Sequence, residues 1–341
     1  MFDVAIVGSG PAGASCAAFC AGAGLRTVLL EREKFPREKV CGDCLNPACT
    51  PVLERLGIAE DVRALPHGKL HRVDFIAIGG HSVSIELPRD AEIAVKRSLF
   101  DHLLRQRAAQ LGAEICDGIT VTSVAESNGW RINDSITART LVAADGRNST
   151  IARLLGLRPR IAKERVALQT HLPLPKNFGD RVVLQFLPRG YAGQAPVGND
   201  ELNLCLVGKP RSMPALRAWA EAKFGVPQNH NWRTITPLRR EAISPAHKNL
   251  FFIGDAARVV EPFTGEGIFY ALRSGELAAQ TITANRDDYA SEHEKLYRGR
   301  LWINRIARTA VLSPRLTSLL LRGGIIGPRV LRVLTTKIVP L

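Results

Sequence analysis

Gly8-Ser9-Gly10-Pro11-Ala12-Gly13 spaces its glycines as G-x-G-x-x-G, and an acid, Glu31, follows 18 residues after Gly13. This pattern suits the binding of a dinucleotide. Gly8 permits a tight turn, Gly10 lets the backbone approach a pyrophosphate, and Gly13 allows a strand and a helix to pack closely. Ser9, Pro11 and Ala12 complete the turn into a helix whose free N–H groups favour phosphate. Glu31, with Arg32 beside it, is placed to accept hydrogen bonds from ribose hydroxyls.

The string alone does not separate one dinucleotide from another. Two later strings do. Ala143-Ala144-Asp145-Gly146-Arg147-Asn148-Ser149 ends a strand. Phe251-Phe252-Ile253-Gly254-Asp255-Ala256-Ala257 ends another and is followed by Pro262-Phe263-Thr264-Gly265-Glu266-Gly267. Asp255, just after Gly254, is an acceptor suited to a ribityl hydroxyl. Gly265, Gly267 and Ile268 open a helix whose N–H groups can stabilise negative charge on a reduced flavin ring. The three strings in this order predict bound FAD.

The elements that hold these residues follow from periodicity. Residues 2–7 read as a strand, Ala12 to Gly22 as a small-residue helix, and Arg26 to Leu30 as a second strand, together one β-α-β unit. Residues 70–87 suggest a hairpin around Gly79-Gly80, and 98–111 a helix ending at Gly112. Strands are expected around 113–124, a hairpin at Asn128-Gly129, and a strand from Thr140 to Ala144. Between 166 and 208 four strands follow one another with short turns, as in an antiparallel sheet. A helix over 214–224, a strand over 249–253 and a helix over 267–284 complete the pattern. The expected fold is α/β. A discontinuous Rossmann-type domain for FAD takes residues 1–65, 92–160 and 245–290. An inserted antiparallel substrate domain takes 66–91 and 161–244, and a basic helical tail takes 291–341.

The chain has 341 residues, of which 45% are hydrophobic and 23% charged, which excludes a disordered or low-complexity protein. Its net charge is +14, but ten Lys and Arg and no acid lie between Lys295 and Leu341, which leaves about +4 elsewhere. That concentration argues against a nucleic-acid footprint spread over the surface. The chain lacks a run of 18 apolar residues, so no membrane span is expected. A strand at the very start argues against a signal peptide. With seven cysteines the simplest expectation is a reducing cytoplasm and free thiols. The histidines show no metal spacing; His67 and His71 sit beside Pro66 and Gly68, off any helix, and no metal site is expected.

On these residues the chain resembles the FAD-dependent oxidoreductases of the p-hydroxybenzoate hydroxylase fold, from residue 2 to about residue 290. Within them it resembles most the geranylgeranyl reductase branch, which includes menaquinone side-chain reductases. The narrower likeness rests on Phe35-Pro36-Arg37-Glu38-Lys39-Val40-Cys41-Gly42-Asp43, matching a Lys-x-Cys-Gly stretch of that branch. The resemblance implies that Cys41 and Gly42 lie at the flavin ring, with Cys41 the candidate catalytic residue, and that Arg97 acts toward FAD. Two departures stand out. Asp43-Cys44 follows Cys-Gly where glycine is usual. The family's Tyr-x-Trp-x-x-Pro becomes Tyr191-Ala192-Gly193-Gln194-Ala195-Pro196, with Gly193 in place of tryptophan.

No second fingerprint for a nicotinamide cofactor is visible, so NAD(P)H or another donor would act as a transient reductant. The expected reaction is reduction of a carbon–carbon double bond in a lipophilic prenylated lipid or quinone. Hydroxylation by a monooxygenase remains open. Halogenation is disfavoured, because no Trp-x-Trp-x-Ile-Pro motif is present. A non-enzymatic electron carrier or membrane-bound redox sensor is the remaining class. Cys41-Gly42-Asp43-Cys44 lacks the second pair a zinc ribbon needs, and a disulfide beside the flavin is a weak alternative. The tail carries Arg308, Arg315, Arg322 and Arg329 at intervals of seven, broken by Pro314, Gly323, Gly324, Gly327 and Pro328. Two or three short helices are expected there. They either rest their apolar faces on the flavoprotein or hold residues 295–341 against an anionic membrane surface.

Overall fold

A computed structural model describes residues 1–87, 92–157, 160–162, 165–227 and 229–338. The expected domain edges near 91 and 160 and tail residues 339–341 fall at or outside these limits.

The first sheet has eight strands, and its five parallel ones are Leu250–Phe252, Ile136–Ala143, Phe2–Val7, Thr27–Glu31 and Glu114–Asp117, in that spatial order. Phe2–Val7 is central, and its alternation assigns each face. Val4 and Ile6 face a layer of helices, while Ala5 and Val7 face Trp130 and Ile132 of the hairpin Val124–Ile132. The helical layer comprises Pro11–Gly22, Arg97–Gln110 and Gly267–Thr283. Pro11–Gly22 is buried on nearly every side, which explains its run of Ala, Gly and Cys. A Cβ on Gly275 of the facing helix would lie 2.4 Å from the Ala12 carbonyl oxygen, so the two backbones touch without side chains between them.

The second sheet has seven strands. Arg233–Ile235, Val166–Pro173, Glu201–Gly208, Gly190–Pro196 and Arg181–Leu187 are antiparallel in that order; the last four are the strands expected between 166 and 208, and Arg233–Ile235 is an addition. The hairpin Arg72–Ile76 and Ser82–Glu86 extends it, with Arg72 to Ile76 running parallel to Arg181 to Gln185. A parallel join is possible there because the chain leaves the sheet, crosses the first domain and returns only after a long connection. A small third sheet pairs Cys44–Leu45 and His67–Leu70 with Glu92–Val95. A Cβ on Gly68 would lie 2.0 Å from the Pro196 carbonyl oxygen, so this small sheet is pressed against the second.

Three short helices end the chain: Leu301–Leu312, Pro314–Arg322 and Pro328–Ile338. They break at the prolines and glycines that were expected to break them. Val311, Leu321 and Leu331 pack onto the second sheet with Phe75, Phe186 and Tyr191. Helices Thr50–Arg55 and Ala59–Ala64 had no counterpart in the sequence reading; at six residues each they carry too little periodicity to detect.

Candidate active site

A cavity of about 1020 Å³ runs between the two large sheets and under the terminal helices. Gly8, Gly10, Pro11, Ala12, Glu31, Arg32, Cys41, Gly42, Arg97, Asp145, Gly146, Asp255, Gly265, Gly267 and Ile268 all line it. The topology explains the convergence. Parallel strands in a doubly wound sheet end on one edge, and their loops meet in the crevice outside the strands' carboxyl ends.

Ser9, Gly13 and Gly254 lie one layer behind this wall. A Cβ on Gly13 would sit 1.8 Å from the Gly8 carbonyl oxygen, so this glycine serves strand–helix contact. The Ser9 N–H donates to Glu31 Oε2 at 2.9 Å, and the Gly254 N–H donates to Ser274 Oγ at 2.8 Å. Glu31 is further fixed by the Glu33 N–H, which donates to Oε1 at 3.1 Å. Each of its oxygens keeps a lone pair for a ligand hydroxyl. Arg32 stands exposed at the rim beside Glu33.

One end of the cavity fits a nucleotide with phosphates. Gly10 caps the first helix without a side-chain hydrogen bond, and the helix's first turn carries no acid. A Cβ on Gly10 would meet only Arg37 Nη2, at 3.8 Å, so the backbone there is open to an approaching group. Arg37, Lys39, Arg97 and Arg147 line the same cavity. Desolvation, then the charges of Arg37, Arg97 and Arg147, push Lys39 down to about 8. A bound anion would relieve that crowding.

Other predicted residues are already engaged. Arg97 donates twice to Asp101, at 2.7 and 2.8 Å, and Arg37 reaches the same carboxylate at 3.3 Å. Asp145 accepts from the Ile151 N–H at 3.0 Å, while its Oδ1 is buried with no partner. Burial raises its pKa despite the hydrogen bonds that Ser149 and nearby N–H groups give it. An unpartnered buried acceptor on a cavity wall is a place for a ligand donor. Asp255 is held by Arg147 Nη2 at 2.8 Å, and Arg240 caps the Asp255 and Ala256 carbonyls. Arg37, Lys39 and Arg147 stood inside the quoted strings without an assigned role, and Arg240 lay outside them. The first three offered one signal, charge near a glycine motif, and Arg240 offered none. Gly265 adopts φ +71°, which turns the chain into the helix beginning at Gly267.

Around Cys41 the structure adds what the sequence did not show. Asp43 is buried, with φ +62°, and the Val95 N–H anchors its carbonyl at 2.9 Å. Asp43 Oδ2 lies 2.8 Å from His171 Nε2, and Oδ1 has no partner. Burial raises its pKa, and His171 opposes that rise. Asn203 Nδ2 and the Cys205 thiol donate to the Cys41 carbonyl, at 2.8 and 3.2 Å. Burial also pushes the Cys41 thiol up, so it stays protonated near neutrality. All seven cysteines, Cys41 and Cys44 included, are free thiols. His171 gave no sign of its role, because it lies 128 residues from Asp43.

The far end of the cavity is apolar. Phe263 packs against Phe75, Phe186 and Tyr191, with ring centroids 6.3, 5.8 and 5.2 Å apart. Leu184, Leu238, Ile303, Leu331 and Leu334 continue the wall into the terminal helices. Gly193 also lines it, and a Cβ there would meet nothing closer than Leu184 Cδ2 at 3.8 Å. A Cβ at this position is therefore tolerated in ordinary van der Waals contact.

The family model described as an FAD binding domain matches residues 1–179. This chain belongs to that FAD-binding family. The flavoprotein is 31% identical to a menaquinone reductase of Mycolicibacterium smegmatis, over 85% of this chain and 78% of that protein. It is 26% identical to a digeranylgeranylglycerophospholipid reductase of Methanosphaerula palustris, over 82% of this chain and 75% of that one. Its fold matches a flavin-dependent brominase with TM-score 0.79, at 21% identity, over 99% of this chain and 94% of the other. The protein is an FAD-dependent oxidoreductase of the geranylgeranyl and menaquinone reductase type. The residues above would hold the dinucleotide: Gly10 and the cations toward phosphate, Glu31 toward ribose, and Gly265 to Gly267 toward the ring.

Proposed function

We propose that this flavoprotein reduces an isolated double bond in the prenyl chain of a lipid or quinone. The observation that carries the reading is the two-ended cavity. Its polar end carries the phosphate and ribose partners that FAD calls for, and its other end is an aliphatic and aromatic arm walled in part by the terminal helices. Such an arm favours a flexible hydrocarbon chain, whose burial contributes about 0.8 kcal/mol per CH₂.

Saturating an alkene adds a hydride to one carbon and a proton to the other. The hydride would be supplied by FAD when it is bound and reduced by NAD(P)H or another transient donor. The proton comes from this chain. Cys41 is the weaker acid for that task, because burial raises its already high pKa. Asp43 is the better one. It lines the cavity, burial raises its pKa above the ordinary carboxylate value, and its free oxygen faces no protein partner. His171 is the positioning residue, fixing one carboxyl oxygen and leaving the other free.

Two measurements test this reading. The reduced holoprotein is given menaquinone or a geranylgeranylated lipid without oxygen, and products are weighed by mass spectrometry. A gain of two hydrogens supports the proposal; a gain of one oxygen, only in air, replaces it with monooxygenase chemistry. Asp43→Asn should lower kcat by roughly 10²- to 10⁴-fold with FAD content and KM retained. It should also remove the limb of the pH profile on which activity falls as the acid ionises. An unchanged pH profile would show that the proton comes from elsewhere.

A further inference from the structure

The terminal helices present a surface that a helix packed on a protein does not ordinarily show. In a globular helix the apolar stripe turns toward the core. In Pro314–Arg322 the inward residues are Thr317, Ser318 and Leu321, and Ser318 Oγ accepts from the Ile78 N–H of the sheet hairpin at 2.9 Å. Leu316 and Leu319, at 56% and 63% exposure, point outward. Ile325, in the next turn, is 68% exposed. Among the described residues every exposed large apolar side chain except Met1 lies between Trp302 and Val333.

The same helices are cationic. Arg305, Arg315, Arg322, Arg329 and Arg332 are exposed, and no acid occurs from Lys295 to the end of the sequence. A second copy of the chain would bring like charge against like charge. An apolar ridge flanked by arginines matches instead the interface of an anionic bilayer, where acyl chains receive the leucines and headgroups receive the guanidinium groups. Among the described residues no helix is long and apolar enough to cross a membrane, so contact would be peripheral. The inner sides of these helices, at Ile303, Leu321, Leu331 and Leu334, line the large cavity.

We propose that helices 301–338 dock this protein on an anionic lipid surface, with Leu316, Leu319 and Ile325 inserted and the arginines on the headgroups. The surface stands independently of the reaction proposed above. It lies on the outer side of the helices whose inner residues wall the cavity.

The test sediments FAD-loaded protein with phosphatidylcholine vesicles, with and without phosphatidylglycerol. The expected result is binding only to the anionic vesicles, weakened by added salt. Arg315→Gln/Arg322→Gln/Arg329→Gln should weaken it roughly a hundredfold. Leu316→Ser/Leu319→Ser/Ile325→Ser should abolish salt-resistant retention. Both variants should keep their FAD, because none of the six side chains lines the cavity. Absence of binding by the wild type, or equal binding by both FAD-loaded variants, overturns the proposal. So does a wild type that self-associates through Leu316 and Leu319 without lipid.

Discussion

Gly10 and Gly13 differ by three positions and should fail in opposite ways. Gly10 has φ −76° and ψ −177°, an extended conformation open to any residue, and its Cβ direction is clear except for Arg37 at 3.8 Å. Gly10→Val therefore leaves the fold intact. Its cost is that of a poor helix cap, about 1 kcal/mol, or a fall of no more than about 3 °C in the Tm of FAD-free protein. The side chain would instead occupy the space through which a pyrophosphate reaches the helix N–H groups. Losing two charge-assisted hydrogen bonds, each worth about 1.5–3 kcal/mol, removes about 3–6 kcal/mol. At about 1.4 kcal/mol per tenfold, FAD should bind roughly 10²- to 10⁴-fold more weakly. Gly13→Ala puts a carbon 1.8 Å from the Gly8 carbonyl oxygen, so strand and helix must separate and little folded protein should be recovered. The assay is flavin absorbance of the purified proteins, followed by FAD titration and thermal unfolding of the stripped forms. Wild-type affinity in Gly10→Val would refute the phosphate cradle. A Gly13→Ala protein that melts like wild type would refute the contact.

Two other sites give separable predictions. Burial holds Glu92, on the cavity wall, at about 7 against an ordinary 4.5. The folded state keeps this proton longer than the unfolded chain, so the stability present at low pH is lost as pH rises through about 7. Glu92→Gln should remove up to about 3 kcal/mol of that decline, and parallel wild-type and variant curves from pH 5 to 8 in urea unfolding would refute it. Arg165 and Glu261 form a buried pair, with contacts of 2.9 and 2.7 Å, that ties the second sheet to the segment before Pro262-Phe263-Thr264. Glu261→Gln removes the carboxylate from this buried pair and should cost about 1–3 kcal/mol in denaturant unfolding. A loss below about 1 kcal/mol would refute the pair as a stabilising tie.

The first domain was legible because its chemistry and its folding use the same residues. Gly8, Gly10 and Gly13 report a turn, an approach and a contact within six positions, so a local string carries a tertiary message. The second sheet was legible because its strands follow one another with turns of a few residues. What escaped was made by distance. His171 reaches Asp43 across 128 residues, and Arg165 reaches Glu261 across 96. Nothing in the spacing of either partner marks the other. The parallel pairing of Arg72–Ile76 with Arg181–Leu187 is hidden for the same reason, since the strands meet only after the chain has crossed another domain. Asp43 itself was visible only as a departure, an acid where a glycine was expected. Its significance depended on a burial that no single sequence displays.

The terminal segment shows where periodicity stops being informative. Its apolar residues and arginines recur closely enough to specify amphipathic helices, and the breaks at Pro314 and Pro328 specify their ends. Periodicity cannot say which stripe faces inward, because a core and a bilayer accept the same side chains. The structure turns apolar side chains both inward and outward within single helices. Leu321 and Leu331 turn in to cover the second sheet, while Leu316, Leu319 and Val330 remain outside. A helix serving the core alone would put its leucines inward and threonine and serine outward. Thr317 and Ser318 lie inward here, so packing against the sheet is not what selects the outer leucines. The same helices wall the apolar arm of the cavity, so the residues that close the site belong to the elements that carry the exposed apolar face.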